Sequence, residues 1–145
     1  MREEMDTAQS GFTGVIRLAV LDDVPAVKKI ASQHNKELGF VIRSALIDSI
    51  SRSSLIVATQ LDEIVGFANY RRRKDGVNVI YELGVHRNHL RKRIGSALLS
   101  AIPYPTRLKT TTDNQRALAF YLSNGFTIVG HERGRKRELH VLERH

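Results

Sequence analysis

The chain has 145 residues, of which 41% are hydrophobic and 26% charged, as is typical of one globular domain with a sizeable core. It has no cysteine, which excludes disulfides, thiolate metal sites and a cysteine nucleophile. Its formal net charge of +8 favours polyanionic partners. The sequence has no apolar run long enough to cross a membrane and no signal-peptide core, so we expect a cytoplasmic protein with a loose segment at 1–13 and a single domain at 14–145.

The first part of this domain is predicted to form a strand followed by two helices. Apolar residues at 15–20 indicate the strand, and Asp22 or Asp23 can cap the first helix, with Pro25 in its first turn. The apolar side of the first helix consists of Val24, Val27, Ala31 and Leu38, and that of the second consists of Ile42, Ala45, Leu46 and Ile50.

The middle of the chain is predicted to form three strands joined by two turns. Apolar residues at 54–59 and 64–70 flank the first turn, at 61–63, and a turn signal at 74–76 precedes the third strand, at 77–85. Alternation along this third strand places Val77, Val79, Tyr81, Leu83 and Val85 on one face and Asn78, Ile80, Glu82 and Gly84 on the other.

The next helix and strand are predicted from spacing and proline. An amphipathic helix is indicated by the i, i+3, i+4 and i+7 spacing of Ile94, Ala97, Leu98 and Ala101. Pro103 and Pro105 end this helix, and residues 106–111 form the strand that follows.

The last part of the chain is predicted to hold one helix and two strands. Residues 112–115 have the spacing of a capping box, which opens a helix that runs through Tyr121 and stops at Asn124 and Gly125. The final strands are predicted at 126–130 and 138–142.

A basic stretch, HRNHLRKRIGSALL at 86–99, lies between the strand that ends near Val85 and the helix that starts near Gly95. The first turn of a helix presents unpaired N–H groups at the positive end of the helix dipole, and a phosphate fits there. Gly95 lets the backbone come close to such a group, and three basic side chains surround it. This position favours a compact diphosphate over a nucleic-acid duplex, although a solvated basic loop is the alternative.

This stretch resembles the GNAT superfamily of N-acetyltransferases, which bind acetyl-coenzyme A. The family pattern is Arg or Gln, two variable residues, Gly, one variable residue, and then Gly or Ala; the sequence has LRKRIG at 90–95. Gly95 and the helix after it match the pattern. Leu90 departs from Arg or Gln, and Arg93 departs from Gly. Arg93 can still supply its backbone N–H if its conformation is helical.

Two further segments carry the resemblance. YELGV at 81–85 is similar to the central family strand, whose end receives the pantetheine arm, and Gly84 lies where the family splays two strands apart. Asn114, the helix that bears Tyr121, and Asn-Gly-Phe at 124–126 are similar to a second cofactor segment. The resemblance covers about 15–142. It implies an α/β fold with a mixed, mostly antiparallel sheet and helices on both faces.

The resemblance implies an N-acetyltransferase that moves an acetyl group from acetyl-coenzyme A to a primary amine by direct attack in a ternary complex, without a metal. The cofactor-binding residues that it implies are Leu83, Val85, Arg91, Lys92, Arg93, Ile94, Gly95, Ser96, Asn114 and Tyr121. It also implies that the Val85 N–H stabilises the developing oxyanion.

Two catalytic residues are predicted. Tyr121 matches the general acid of the family, and a core aromatic is the alternative role. Glu82 is a lone carboxylate on an otherwise apolar strand, where burial would raise its pKa and suit it as the base. A structural ion pair, or a water chain in place of one base, is the alternative. No metal-ligand spacing joins the histidines, which we expect at the surface: His34, His86, His89, His131, His140 and His145.

The sequence does not identify the molecule that accepts the acetyl group. Basic clusters at 71–74 and 133–137 would repel a polyamine and favour an acidic macromolecule that carries the amine, although a small acceptor is the alternative. Two other functions are considered: a coenzyme-binding sensor without catalysis, and a nucleic-acid-binding module. Against the second, the basic clusters lack interleaved aromatic residues and no helix-turn-helix is evident. A homodimer is possible.

Overall fold

The computed structural model describes residues 12–90 and 93–145. Most of the segment predicted to be loose, at 1–13, lies outside the described residues, and so do Arg91 and Lys92. The described chain divides into two compact units. The first comprises the residues up to Arg71 together with Tyr81–Ile102, and the second comprises Arg72–Ile80 and Pro103–His145. The predicted single domain at 14–145 stays a prediction.

The strands form one seven-stranded sheet. They are β1 (Val15–Leu18), β2 (Leu55–Gln60), β3 (Glu63–Arg72), β4 (Asn78–Val85), β5 (Thr106–Thr111), β6 (Thr127–Arg133) and β7 (Glu138–Arg144). Their order in the sheet is β1-β2-β3-β4-β5-β7-β6. β4 pairs with β5 in parallel, whereas the β1–β2, β2–β3, β5–β7 and β6–β7 pairings are antiparallel. The prediction of a mixed, mostly antiparallel α/β sheet is confirmed.

Five helices are described: α1 (Val24–Ser32), α2 (Asn35–Leu38), α3 (Arg43–Ser51), α4 (Ile94–Ala101) and α5 (Gln115–Ser123). In the first unit they cover both faces of the sheet. A Cβ added to Gly84 would lie 2.7 Å from Phe67 Cε1 and 3.4 Å from Ile30 Cγ2 of α1. A Cβ added to Gly66 would lie 2.9 Å from Ile94 Cγ2 of α4. Because Gly66 and Phe67 are neighbours on β3 and face opposite ways, α1 and α4 pack on opposite faces.

The core of the first unit lies between α1, α3 and the inner strands. Its buried residues are Ala19, Val24, Val27, Ile30, Ala31, Leu46, Leu55, Val57 and Phe67. Two details of the prediction are wrong. Leu38 belongs to the separate helix α2, which ends where Gly39 adopts a positive φ of 69°. Ile42 and Ala45 are exposed, because α3 turns Leu46 and Ser49 towards the core instead.

The start of α1 is held by an ion pair rather than by a side-chain cap. Pro25 lies in the first turn, as predicted. The Asp23 carboxylate, however, accepts hydrogen bonds from Arg17 Nη1 at 2.7 Å, Arg17 Nη2 at 3.0 Å and the Val20 N–H at 2.8 Å. Neither Asp22 nor Asp23 caps α1 through its side chain, because the Asp23 oxygens are taken by Arg17 and Val20.

The two predicted turns of the middle segment are confirmed. Leu61 and Asp62 form a two-residue turn between β2 and β3, both with positive φ, as the twist of a tight hairpin requires. In the second turn Gly76 has a φ of 87°, and the Val77 N–H donates to Asp75 Oδ1 at 3.0 Å. On β4 the buried positions are Asn78, Ile80 and Gly84, whereas Tyr81 on the other face is exposed.

Helix α5 of the second unit has a defined cap at each end. The predicted capping box is wrong: Asn114 is the N-cap residue, and its side-chain oxygen accepts from the Ala117 N–H at 3.1 Å. The predicted stop at Gly125 is confirmed. Gly125 has a φ of 88°, its N–H donates to the Leu122 carbonyl, and the Phe126 N–H donates to the Tyr121 carbonyl.

Candidate active site

The site in the first unit begins with Glu82 on β4. Its side chain is half-buried, and Oε1 accepts a hydrogen bond from Asn69 Nδ2 on β3 at 3.1 Å. Burial raises the pKa of the Glu82 carboxyl, and the Asn69 hydrogen bond opposes that rise in part. Glu82 shares a face of β4 with Gly84, which is the face covered by Phe67 and α1. A carboxylate with a raised pKa accepts a proton more readily than an ordinary one.

The backbone at the end of β4 has a defined direction. The His86 N–H donates to the Val65 carbonyl of β3 at 2.8 Å. In a strand the N–H and C=O of one residue point to the same edge, and successive residues alternate. The N–H and C=O of Val85 therefore point to the edge of β4 that faces away from β3. This outward N–H is the group predicted to stabilise the oxyanion.

Gly84 and Gly66 keep this region closely packed. The group that approaches Gly84 is the Phe67 ring. At Gly66, a Cβ would also lie 3.1 Å from Leu98 Cδ1 and 3.2 Å from the Gly84 carbonyl oxygen. The absence of a side chain at Gly66 thus lets α4 pack directly on β3. This packing fixes where α4 begins.

The first residues of α4 include those predicted to bind a phosphate. Arg93 is the N-cap residue and adopts a left-handed conformation, with φ 62° and ψ 19°. The helical conformation considered for Arg93 is therefore wrong. Glycine adopts the left-handed region without steric cost, which explains why the family pattern has glycine at this position. Ile94 is buried against β3, whereas Gly95 and Ser96 are half-buried in the first turn.

The two residues that follow α1 make contacts that the sequence did not reveal. His34 was expected at the surface, but it is half-buried and its Nε2 lies 2.7 Å from the Val85 carbonyl oxygen. The neighbouring Gln33 accepts from the Arg87 N–H through Oε1 at 2.9 Å. A single sequence carries no signal for these contacts, because 51 residues separate His34 from Val85.

Tyr121 and Asn114 lie in the second unit, on and before α5. The Tyr121 ring packs edge-on against Phe120 and Phe126, with centroids 5.2 and 5.7 Å away. Burial raises the pKa of the Tyr121 hydroxyl to about 12. Among residues 12–90 and 93–145, that hydroxyl has no hydrogen-bond partner. The Asn114 side-chain oxygen is already engaged in capping α5.

The predicted site residues therefore fall into two groups. The first unit contains Glu82, Leu83, Val85, Arg93, Ile94, Gly95 and Ser96, and the second contains Asn114 and Tyr121. Arg91 and Lys92 lie outside the described residues. The structure brings Glu82 together with Asn69, and the end of β4 together with His34.

Comparison with known families decides the identity of the fold. The family model described as an acetyltransferase (GNAT) domain matches residues 51–128, which is more than half of the chain. The chain belongs to the GNAT family of acetyltransferases. The predictions of this family and of an acyltransferase enzyme are confirmed. A comparison of this GNAT chain with curated proteins finds no match.

Solved structures share the GNAT fold with this chain. Ard1 from Thermoplasma volcanium superposes with a TM-score of 0.79 at 24% identity, covering 90% of this chain and 96% of its own. The ribosomal-protein-S18-alanine N-acetyltransferase from Escherichia coli gives 0.76 at 17%, covering 91% and 93%. The PaiA N-acetyltransferase from Thermoplasma acidophilum, in complex with coenzyme A, gives 0.76 at 17%, covering 92% and 99%.

The described residues of this GNAT protein contain neither a membrane-spanning helix nor a metal-ligand group. No described helix is both long enough and apolar enough to cross a membrane. Among the same residues, no group of three or more histidine, aspartate or glutamate side chains could hold a metal ion.

Proposed function

We propose that this GNAT protein transfers the acetyl group of acetyl-coenzyme A to a primary amine, which attacks directly in a ternary complex. The observation that carries the proposal is the half-buried Glu82, whose pKa is raised by burial, on the strand that ends at Val85. Acetyl-coenzyme A supplies an activated thioester when it is bound. Its role as co-substrate is supported by neighbours of the same fold whose structures contain coenzyme A or acetyl-coenzyme A.

The start of α4 fits the diphosphate of that co-substrate. Ile94, Gly95 and Ser96 lie in the first turn, whose N–H groups have no partner within the helix, and Arg93 adds an exposed cation beside them. Arg91 and Lys92 complete the basic loop in our proposal. Backbone groups of Leu83 and Val85 would hold the pantetheine arm, and Asn114 and Tyr121 are the further cofactor-binding residues of our proposal.

Glu82 would act as the base. An alkyl ammonium must lose a proton before its nitrogen can attack, and a carboxylate with a raised pKa accepts that proton more readily than an ordinary one. Asn69 fixes the Glu82 carboxylate by a hydrogen bond to one oxygen, which leaves the second oxygen for the ammonium or for a relaying water. The Val85 N–H would stabilise the oxyanion that develops as the amine adds.

Tyr121 would assist the leaving sulfur. With a pKa of about 12 its hydroxyl stays protonated at any physiological pH, so a proton is always present to donate. A thiolate, whose conjugate acid has a pKa of about 8.5, is a weaker base than such a phenolate. A hydrogen bond from the Tyr121 hydroxyl to the departing thiolate is therefore the role that we assign, rather than complete proton transfer.

The acceptor is proposed to be an amine carried on an acidic macromolecule. Three cations of the two basic clusters are already paired: Arg71 with Asp48, Arg73 with Asp75 and Arg137 with Asp113. Five others form no ion pair within the described part of the chain: Arg72, Lys74, Arg133, Arg135 and Lys136. A plant neighbour, Naa50 from Arabidopsis thaliana, was solved with a bisubstrate analogue that joins coenzyme A to a peptide, which supports a peptide amine. We place the protein in the cytoplasm.

A coenzyme-binding sensor without catalysis is the second candidate. The departures at Leu90 and Arg93 from the family pattern favour it, since neither matches a residue of the phosphate loop. Binding and turnover distinguish the two functions. Coenzyme A at millimolar concentration should raise the melting temperature, because it binds only the native state. Dephospho-coenzyme A should do the same if the diphosphate is the anchor, and mass spectrometry of a panel of peptide and small amines should then reveal an acetylated product.

A further inference from the structure

Two consecutive residues directly after α1 contact the last residue of β4 and the two residues that follow it. Gln33 Oε1 accepts from the Arg87 N–H at 2.9 Å, and Gln33 Nε2 lies 3.3 Å from His86 Nε2. His34 Nε2 lies 2.7 Å from the Val85 carbonyl oxygen. The two residues after α1, a helix that packs on one face of the sheet, thus contact the backbone at the point where β4 ends and the basic loop begins.

The chemistry of the His34 contact fixes which atom donates. A carbonyl oxygen can only accept, so Nε2 of His34 carries the proton and donates it to Val85. The next amide, of His86, donates to the Val65 carbonyl on the opposite side at 2.8 Å. The peptide group between Val85 and His86 is therefore held from both edges, by β3 on one side and by the imidazole on the other.

Val85 needs this support because it is the last residue of β4. Its N–H points to the outer edge, where the sheet partner β3 cannot restrain it. Without a partner for its carbonyl oxygen, the end of the strand is free to twist about the Val85 backbone, and its N–H would change direction. An oxyanion donor acts only when it is aimed beforehand at the position where charge develops.

We propose that His34 is a positioning residue for acetyl transfer, which aims the Val85 N–H by holding the Val85 carbonyl from the outer edge of β4. This inference rests on the proposed function, in which that N–H meets the thioester carbonyl. It assigns a role to a histidine that neither its sequence context nor the family pattern distinguishes. The essential property is a donor group at this position and not the titration of the imidazole.

Two substitutions separate the donor from the ring. His34→Gln keeps an N–H donor on a side chain of adequate reach, whereas His34→Leu fills similar space with no donor. Lys36→Leu, at an exposed position two residues further along, is the matched control. Melting temperatures and coenzyme A affinities by calorimetry are measured first for all four proteins, and we expect affinities within about threefold of each other because the anchor at α4 is unchanged.

The decisive measurement is the infrared stretch of acetyl-coenzyme A labelled with ¹³C at its carbonyl, recorded on binding to each protein. Wild type, His34→Gln and Lys36→Leu should lower the carbonyl frequency, since a hydrogen bond from Val85 polarises the bond. His34→Leu should lose most of this shift. In the proteins without ligand, the His86 amide resonance should move in His34→Leu and stay in Lys36→Leu. With an acceptor in hand, kcat should fall about tenfold or more in His34→Leu at an unchanged KM for acetyl-coenzyme A.

Two failures are distinguishable. If wild type binds no coenzyme A, or binds it with no shift of the carbonyl stretch, the proposed function is wrong and this inference falls with it. If wild type shows the shift and His34→Leu shows it equally, the proposed function stands and the positioning role of His34 is refuted.

Discussion

The packing of α4 on Gly66 links the stability of the protein to coenzyme binding, and Gly66→Ala tests that link. The added Cβ would lie 2.9 Å from Ile94 Cγ2, 3.1 Å from Leu98 Cδ1 and 3.2 Å from the Gly84 carbonyl oxygen. Ordinary contacts of this kind need at least about 3.5 Å. Ile94 is β-branched and buried, so it cannot rotate away, and α4 must move outward instead.

This movement should lower both the stability of the fold and the affinity for coenzyme A. Overpacking of a core by one methyl group costs about 1–3 kcal/mol of unfolding free energy. For a chain of this length, that corresponds to a fall of roughly 3–10 °C in melting temperature. Moving the first turn of α4 also weakens its hold on an anion by about 1 kcal/mol, which is about fivefold in the dissociation constant of coenzyme A.

Thermal unfolding and calorimetric titration with coenzyme A measure the two effects. Gly130→Ala is the matched control, because no atom lies within 4 Å of the Cβ that it would add. We expect Gly130→Ala to change neither quantity. A Gly66→Ala protein with wild-type melting temperature and wild-type affinity would refute the packing that we describe.

Three further variants test the chemistry and the acceptor. Glu82→Gln should lower kcat/KM about a hundredfold and remove the rise of activity with pH that deprotonation of the Glu82 carboxyl produces. Because burial raises the pKa of Glu82, its ionised form destabilises the fold. Glu82→Gln should therefore raise the melting temperature at pH 7, and this gain should shrink towards pH 4, where the carboxyl is protonated in both states. A gain in melting temperature that is largest at pH 4 would contradict this. Tyr121→Phe should lower kcat about a hundredfold with little change in coenzyme A affinity, and equal rates would remove Tyr121 from the mechanism. The double variant Arg72→Ala with Arg135→Ala should raise KM for an acidic acceptor at low salt and flatten its salt dependence; a KM that is insensitive to salt in wild type would leave only a small acceptor.

Much of the fold follows from local sequence. The strand at 106–111 was predicted to the residue, because prolines precede it and a turn signal follows it. Helix α4 and the stop at Gly125 also follow from local rules, namely apolar spacing and a glycine with positive φ. Strand β6 runs to Arg133, beyond its predicted end at 130, because it pairs with β7 up to the turn at Gly134. Strand β7 runs to Arg144, beyond its predicted end at 142, because its last two residues pair with β5.

The misplaced caps have a common physical cause. A side-chain oxygen next to a helix start has several possible donors, and local sequence does not decide among them. Asp22 or Asp23 was expected to cap α1, but Arg17 offers two charged donors to the Asp23 carboxylate. At α5, Asn114 replaced the predicted pair of Thr112 and Gln115, because its short side chain reaches the Ala117 N–H.

The candidate site was predictable in part. Glu82 stood out as a carboxylate on an apolar strand, and the structure gives it a buried neighbour, Asn69, that only the pairing of β3 with β4 could supply. The left-handed conformation of Arg93 could not be predicted, because residues other than glycine rarely adopt it. His34 meets Val85 only because α1 packs on the sheet, a contact between distant residues that no spacing rule contains.

The most direct test of the proposed function is a transfer assay with acetyl-coenzyme A labelled in its acetyl group. The wild-type protein is incubated with this donor and with a set of peptides and small molecules that carry primary amines, and the products are analysed by mass spectrometry. We predict labelled acetyl on the amine of at least one acceptor, one equivalent of coenzyme A released for each, and rates of both that are about a hundredfold lower in Glu82→Gln at pH 7. If the protein binds acetyl-coenzyme A tightly and no acceptor gains the label, it is a coenzyme-binding sensor and the proposed transfer is wrong.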